Sequence, residues 1–263
     1  MQTENVVNHI VNWLKEYAIR SKMNGFVIGI SGGIDSAVTS TLCAKTGLDL
    51  LCLEMPIHQE ISQVNRALNH INWLKENYSR VSMYQLDLTP VFDNLVKALP
   101  SVENEEDRFM PLANTRARLR MTSLYYFAGL KKYLVAGTGN KVEDFGVGFY
   151  TKYGDGGVDI SPIADLMKSE VYEIARYLGI NQEIINAAPT DGLWGDNRTD
   201  EDQIGASYDE LEWAMKMKSE SKTTSDFLGR KKEVFDLFIR LNKANQHKMN
   251  PIPVCEIPNN YKN

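Results

Sequence analysis

Cysteine is scarce in this chain of 263 residues, and its three cysteines form no metal-binding or disulfide pattern. Cys43, Cys52 and Cys255 are an odd number, and none belongs to a C-x-x-C pair. This argues against a disulfide framework and against a cysteine zinc site. We expect Cys43 and Cys52 to be core residues without a reactive role.

Two further features are missing, a block of basic residues and a long apolar run. The net charge is -5, whereas nucleic-acid-binding proteins usually present a basic face, so we expect no nucleic-acid partner. No apolar run approaches the roughly 20 residues of a membrane span. The N-terminal stretch MQTENVVNHIVNWLKEY is polar and amphipathic, unlike a signal peptide. These absences predict a cytoplasmic protein with no membrane partner.

Strand-like and helix-like runs alternate along the chain. The strand-like runs are FVIGI, LDLLCLEMP, VSMYQLDL and KKYLVAGT. Helical spacing of apolar residues covers 5–22, 37–47, 59–78, 90–99, 114–130, a run from Lys168, 207–218 and 230–246. The alternation predicts an α/β fold, a doubly wound and mostly parallel sheet with helices on both faces. We see no repeat and no clear second domain, so we expect one domain over 1–263.

A Gly-rich loop, GISGGIDS at 29–36, lies between the first strand and the following helix. A strand–turn–helix of this kind forms an anion site from backbone N–H groups and the helix dipole. The loop lacks the lysine of a Walker A motif and the third glycine of a dinucleotide fingerprint. Ser31 and Ser36 add hydroxyl groups, and the Asp35 carboxylate would repel a phosphate unless a divalent cation lay between them. The pattern favours a metal-bound polyphosphate over a plain Gly-rich turn.

The loop SGGIDS carries the SGGxDS signature of the PP-loop ATP pyrophosphatases. A second stretch, 135–180, contains FYTKYGDGG and GTGNKVED and closely resembles NAD synthetases. The resemblance runs from about residue 5 to 250 and is closest to the ammonia-dependent members. It implies the adenine-nucleotide α-hydrolase-like fold, which agrees with the alternation of strands and helices.

The resemblance also assigns roles to individual residues. Catalysis is carried by Asp35 and Lys168, and the Mg²⁺ ligands are Asp35 and Glu143, with Asp144 open as the alternative second ligand. The ATP-binding residues are Gly29, Ile30, Ser31, Gly32, Gly33, Ile34, Asp35, Ser36, Thr138, Lys168 and Thr190. The deamido-NAD contacts are Arg118, Lys152, Asp159, His247 and Lys248.

Two of these assignments also have a physical argument. Lys168 opens a helical run, where its charge opposes the dipole, and a bound phosphate would relieve that misfit. Arg116 and Arg120 share a helical face that Arg118 does not, so at least one of the two faces carries charge near the core. A solvated arginine face with local acidic partners remains the alternative.

The reaction that the resemblance implies is the ATP- and Mg²⁺-dependent amidation of deamido-NAD to NAD through an acyl-adenylate. Ammonia is the expected nitrogen donor, because the synthetase pattern leaves no room for a glutaminase domain. The Gly- and Asp-rich stretch 190–205 is the candidate lid. A homodimer is implied, with 5–22 and 114–130 as candidate surfaces, although each helix could equally cover its own sheet.

Two other functions remain open from the sequence. One is another PP-loop amidating or adenylating enzyme, such as one that forms GMP or modifies tRNA. The other is a nucleotide sensor without catalysis. FYTKYGDGG and the negative charge argue against the first, and Asp35, Glu143 and Lys168 argue against the second.

Overall fold

A parallel sheet of four strands organises the chain in the computed structural model, which describes residues 1–188 and 199–262. The strands are β1 (Gly25–Gly29), β2 (Asp49–Glu54), β3 (Val81–Gln85) and β4 (Tyr133–Val135). Their order is β3-β2-β1-β4, and every pair is parallel. Because the chain moves outward from β1 on one side and returns to its other side with β4, the predicted doubly wound fold is confirmed.

Helices connect and cover the strands. They are α1 (Thr3–Arg20), α2 (Ile34–Lys45), α3 (Ile61–Asn77), α4 (Thr89–Ala98), α5 (Phe109–Lys131), α6 (Lys168–Tyr177), α7 (Gln182–Ile185), α8 (Asp200–Ile204), α9 (Tyr208–Ser219), α10 (Gly229–Ala244) and α11 (Gln246–Met249). Single 3₁₀ turns cover Glu105–Arg108, Thr224–Asp226 and Asn259–Tyr261, and a π-helical segment covers Val142–Val147. Within residues 1–188 and 199–262, no helix has the length and hydropathy needed to cross a membrane.

Each face of the sheet carries its own hydrophobic core. Phe26 and Ile28 pack with Leu14 of α1 and Leu42 of α2, whereas the intervening Val27 packs on the other face with Phe92 of α4. A strand whose successive side chains are all buried is typical of a parallel sheet covered on both sides. Cys43 and Cys52 are fully buried, and burial raises the pKa of the Cys52 thiol to about 12, in agreement with a core role.

A third core lies beside the sheet and belongs to the C-terminal layer. Val142 and Val147 of the π-helical segment pack there against Leu211 of α9 and against Phe235 and Phe238 of α10. This layer places the π-helical segment next to the carboxyl ends of the strands, where doubly wound sheets bind their ligands.

The structure corrects two sequence-based boundaries. The stretch 190–205 was expected to be a loop, but Asp200–Ile204 is helical because Thr199 caps it, with Thr199 Oγ1 accepting from the Asp202 N–H at 3.1 Å. The rest of the expected lid, 190–198 with Thr190, lies outside the described residues. The helix expected over 230–246 ends at Ala244, and α11 follows separately.

Candidate active site

The Gly-rich loop is held together by its own serines. Ser36 Oγ accepts from the Ser31 N–H at 3.3 Å and donates to the Gly33 carbonyl at 3.0 Å, while Ser31 Oγ accepts from the Gly33 N–H at 3.2 Å. Gly32 has φ +81°, a left-handed conformation that glycine adopts without strain. The loop therefore leads directly into the N-terminus of α2, as the sequence predicted.

A cavity of about 60 Å³ opens in front of this loop and brings predicted residues together. Its lining residues are Ser31, Gly32, Gly33, Ile34, Asp35, Gln63, Arg66, Lys168, Tyr172, Ala187, Ala188 and Asp200. Arg66 was not expected there, and its Nε donates to the Gly32 carbonyl at 3.4 Å. Backbone N–H groups, a helix N-terminus and two cations make this cavity suitable for a phosphate group.

Lys168 connects two carboxylates that the sequence predicted separately. Its Nζ lies 2.6 Å from Asp35 Oδ2 and 3.1 Å from Glu143 Oε1, and only 3% of its surface is exposed. Burial disfavours its charged form, but the charges of Asp35 and Glu143 outweigh that effect and raise the pKa of Lys168. The expected conflict between Lys168 and the α6 dipole is thus relieved here by carboxylates.

Glu143, rather than Asp144, shares Lys168 with Asp35. The Asp144 carboxylate instead lies against the backbone of Gly139, where a Cβ atom would come within 2.2 Å of Asp144 Oδ1. Burial and the charge of Glu143 raise the pKa of Asp144 to about 7. Of the two ligands left open by the sequence, the geometry favours Glu143.

Two residues that the sequence analysis missed orient the carboxylates. Asn140 is fully buried; its Nδ2 donates to Asp35 Oδ1 at 3.3 Å and its Oδ1 accepts from the Glu143 N–H at 3.2 Å. The Tyr208 hydroxyl donates to Glu143 Oε1 at 2.5 Å, and Lys168 Nζ lies 4.5 Å from the centre of its ring. Asn140 falls within the stretch GTGNKVED, and Tyr208 within 205–210, another stretch where the family resemblance is strong, but neither residue was assigned a role.

The carboxylates of Asp35 and Glu143 fit a magnesium ion that is shared with phosphate. Within residues 1–188 and 199–262, no group of three or more His, Cys, Asp or Glu side chains is placed to hold a metal ion. Magnesium usually binds one or two carboxylates and takes its other ligands from substrate phosphates and water. Asp35 lines the phosphate-sized cavity and Glu143 is joined to Asp35 through Lys168, so these two carboxylates match that donor set.

A larger cavity of about 240 Å³ lies over the carboxyl ends of β1, β2 and β4, between α3 and α5. It shares Ser31 and Gln63 with the smaller cavity, so the two adjoin. Gly29, Ile30 and Thr138, three of the predicted ATP-binding residues, line it. The loops that follow these strands therefore converge on one cavity.

Arginines of α5 occupy both faces of that helix. Arg120 reaches the larger cavity and donates to the Met55 carbonyl at 3.0 Å and to Gln59 Oε1 at 2.8 Å. Arg116 lies over the Phe92 ring at 4.4 Å. Arg118 is exposed and donates to the Lys152 carbonyl at 3.3 Å. The charge near the core thus belongs to the face of Arg116 and Arg120.

Four of the five predicted dinucleotide contacts form one group. Arg118 contacts Lys152, whose Nζ donates to the His247 carbonyl. Lys248 Nζ donates to the carbonyls of Gly148 and Tyr150, both at 2.8 Å. Asp159, by contrast, accepts from the Val135 N–H of β4 at 2.8 Å and from the Tyr125 hydroxyl at 3.0 Å.

The NAD synthase family model matches residues 6–252 of this chain. The chain belongs to the NAD synthase family. An NH(3)-dependent NAD(+) synthetase of Carboxydothermus hydrogenoformans is 36% identical over 251 residues, which are 93% of this chain and 94% of that protein. The resemblance seen in the sequence is therefore confirmed, as is the expectation of a ligase of NAD biosynthesis that binds nucleotides.

Solved structures of the family share the fold. NMN synthetase from Francisella tularensis superimposes with a TM-score of 0.84 at 31% identity, covering 98% of this chain and 99% of that one. An NH3-dependent NAD synthetase from Campylobacter jejuni, solved with a nitrate ion, gives a TM-score of 0.78 at 25% identity, covering 97% and 100%.

Proposed function

We propose that the chain amidates deamido-NAD to NAD with ATP, Mg²⁺ and ammonia, through an acyl-adenylate. The observation that carries this proposal is that Lys168 and Asp35 line the phosphate-sized cavity, while Lys168 also pairs with Glu143. A free carboxylate resists ammonia because oxide would have to leave. Attack of the nicotinate carboxylate on the α-phosphorus of ATP releases pyrophosphate, and ammonia then displaces AMP from the acyl carbon.

Each part of the site has a task in this scheme. The backbone of residues 31–33 and the N-terminus of α2 bind the polyphosphate, and Lys168 neutralises the charge that develops on the leaving pyrophosphate. Asp35 and Glu143 would hold Mg²⁺, which supplies further neutralisation of the phosphates. Asn140 and Tyr208 hold the carboxylates of Asp35 and Glu143 in position through hydrogen bonds. A closed site protects the adenylate, because water would hydrolyse it.

Free ammonia is the nitrogen donor in this proposal. The supporting observation is that eight relatives named as NH(3)-dependent are matched over 84–100% of their length. The cytoplasm, where ATP and ammonium are both present, is the proposed location.

A second substrate deserves a test because the structure with a TM-score of 0.84 is named an NMN synthetase. Nicotinate mononucleotide carries the same carboxylate as deamido-NAD but lacks the adenylate half. The group of Arg118, Lys152, His247 and Lys248 would then have less of the substrate to contact.

The experiment is amidation by the purified protein with ATP, Mg²⁺ and ammonium. Deamido-NAD and nicotinate mononucleotide are compared as acceptors, and NAD or NMN, AMP and ADP are quantified together. One AMP per NAD with no ADP supports the proposal. A higher kcat/KM with nicotinate mononucleotide would make it the preferred substrate instead of deamido-NAD. ATP binding without AMP formation would indicate a sensor. Glutamine supporting the same rate as ammonium would refute the proposed nitrogen source.

A homodimer completes the proposal. Of the two candidate surfaces, α1 covers its own chain, since Val7, Ile10, Leu14 and Ala18 are buried in the sheet core. In α5, which is described throughout, the buried residues are three alanines, whereas Tyr126 and Leu130 are 66% and 65% exposed. Such an apolar surface is typical of a subunit interface.

A further inference from the structure

Glu54 is a buried acidic residue with no place in the reaction described above. It ends β2, an interior strand, and only 3% of its surface is exposed. It lines the larger cavity. Its Oε2 has no hydrogen-bond partner among the described residues. Its register neighbour on β3 is Gln85. Burial raises the pKa of the Glu54 carboxyl, although a hydrogen bond from Gln85 and the charge of Arg120, which lines the same cavity, both act to lower it.

A buried acceptor without a partner is costly, since the group loses its hydration and gains nothing in return. The four preceding residues of β2, Leu50–Leu53, are buried and apolar, and an apolar residue at position 54 would continue the strand without that cost. A ligand that brings a hydrogen-bond donor to Oε2 would compensate it. The position of Glu54 on the cavity wall provides the access that such a ligand needs.

The two cavities define which part of a nucleotide reaches Glu54. They share Ser31 and Gln63, so phosphates bound in front of the Gly-rich loop leave the nucleoside in the larger cavity. Most of that wall is apolar and suits a flat base, with Leu53, Met55, Val64, Ala67, Leu124 and Val158 among the lining residues. Glu54 follows Leu53, whose carbonyl accepts from the Ile30 N–H next to the loop.

We propose that Glu54 accepts a hydrogen bond from the 6-amino group of adenine and thereby selects ATP over 6-oxopurine nucleotides. Adenine presents an N–H donor at this position, whereas inosine presents a carbonyl oxygen, which would face the carboxylate as a second acceptor. This inference rests on the proposed function only in requiring that ATP bind between the loop and the larger cavity.

The test compares ATP with inosine triphosphate in the amidation assay at pH 8.5, because alkaline conditions favour the ionised form of a carboxyl whose pKa is raised. Wild-type protein, Glu54→Leu and Glu54→Gln are measured. We expect wild type to prefer ATP by at least about tenfold in kcat/KM. Glu54→Leu lowers kcat/KM for ATP, through KM, without lowering it for inosine triphosphate. Glu54→Gln raises kcat/KM for inosine triphosphate, because its amide can donate to the 6-oxo group.

Glu60→Gln is the matched control. Glu60 is exposed at the start of α3, does not line the cavity, and loses the same charge in the variant. Its nucleotide preference should equal that of wild type. Thermal unfolding of all three variants verifies that they fold, and Glu54→Leu should melt no lower than wild type, since it removes a buried carboxyl group.

If Glu54 had a purely structural role, Glu54→Leu would lower kcat/KM equally for ATP and for inosine triphosphate. That result would overturn the inference. Loss of discrimination against 2′-deoxy-ATP or 3′-deoxy-ATP in Glu54→Leu, with an unchanged ATP to inosine triphosphate ratio, would assign Glu54 to the ribose and also overturn it. Calorimetric binding of both nucleotides separates this inference from the proposed reaction: a Glu54-dependent preference in binding without AMP formation supports the inference and contradicts the reaction.

Discussion

The ammonium group of Lys168 pairs with the carboxylates of Asp35 and Glu143. The three residues come from distant parts of the chain. Asp35 comes from α2, Glu143 from the π-helical segment and Lys168 from the first position of α6. Charges this far from water persist only when they are paired and hydrogen-bonded, and Asn140 and Tyr208 supply the remaining bonds. The cation to which we assign a catalytic role is therefore also a structural one.

Replacement of Lys168 should reveal both roles. Lys168→Met leaves two buried carboxylates uncompensated, so we expect a loss of about 3 kcal/mol in the free energy of unfolding. We also expect kcat to fall by about 100-fold or more, because the leaving pyrophosphate loses its cation. Denaturant unfolding and the amidation assay measure the two effects.

Lys141→Met is the control for that variant. Lys141 Nζ lies 2.7 Å from Asp165 Oδ1, but the two side chains are 34% and 96% exposed. Because water screens this pair, its loss should change stability by less than about 1 kcal/mol. Equal losses in the two variants would contradict a special role for the Lys168 pair.

The two adjacent loop glycines offer a second test. In Gly32→Ala the new Cβ would lie 2.7 Å from the Gln63 carbonyl oxygen, at φ +81°. We expect a loss of about 2 kcal/mol in stability and a KM for ATP raised about tenfold. Gly33 has φ -94°, and a Cβ there would lie 3.3 Å from Ser31 Oγ, a side-chain atom rather than backbone, so Gly33→Ala should be milder in both respects. Similar effects from both substitutions would mean that backbone strain is not the cause.

At the scale of elements, α2 and α3 are joined by a buried contact between Ser40 and His70. Ser40 Oγ and His70 Nε2 lie 2.9 Å apart, and the imidazole stacks on Trp73 at 5.7 Å. Burial lowers the pKa of His70 to about 4. Since the ring is 2% exposed, its neutral form is the one that the packing of these helices accommodates.

This pairing predicts a pH dependence of folding. The unfolded chain protonates His70 near pH 6.5 and the folded chain near pH 4, so acidification through that window favours unfolding. His70 alone should cost roughly 3 kcal/mol of stability between pH 7 and pH 4. His70→Gln should reduce the acid-induced loss by that amount in denaturant titrations. His9→Gln, at an exposed position of α1, should leave the slope unchanged, and an unchanged slope in His70→Gln would rule out the assignment.

The sequence predicted elements whose pattern is local. Strands β1, β2 and β4 are short apolar runs, and α1 shows apolar residues at helical spacing, so each follows from neighbouring residues. The π-helical segment does not, because Asn242 of α10 stabilises it by donating to the Gly146 carbonyl at 2.6 Å. The orientation of Glu143 depends on that segment, and the role of Tyr208 depends on α9, so neither was visible in the local pattern.

At the scale of the whole molecule, the site lies where the sheet and the C-terminal layer meet. The sheet side supplies the Gly-rich loop and α2, whereas the C-terminal layer supplies Tyr208. The carboxylates and Lys168 lie at the boundary between the two sides. The same molecule leaves Tyr126 and Leu130 of α5 exposed, and α5 is the surface proposed for the second subunit.

A charge placed on that surface should separate the subunits. Leu130→Glu puts a carboxylate on the apolar surface proposed for the interface, where dimer formation would have to bury its charge. We expect light scattering to give twice 29.8 kDa for wild type and 29.8 kDa for the variant. Leu228→Glu, at a residue 86% exposed in the C-terminal layer, should keep the wild-type mass. A monomeric wild type would refute the proposed dimer.

The pairing of Asp35 with Lys168 joins residues 133 positions apart, and this separation has a consequence during synthesis. At 5–20 residues per second, the ribosome completes Asp35 roughly 7–27 s before Lys168. During that interval the Asp35 carboxylate lacks the ammonium group with which it pairs when buried, so it stays hydrated. The nascent chain can assemble β1, β2 and β3 early, but the cluster of Asp35, Glu143 and Lys168 forms only after α6 has been made.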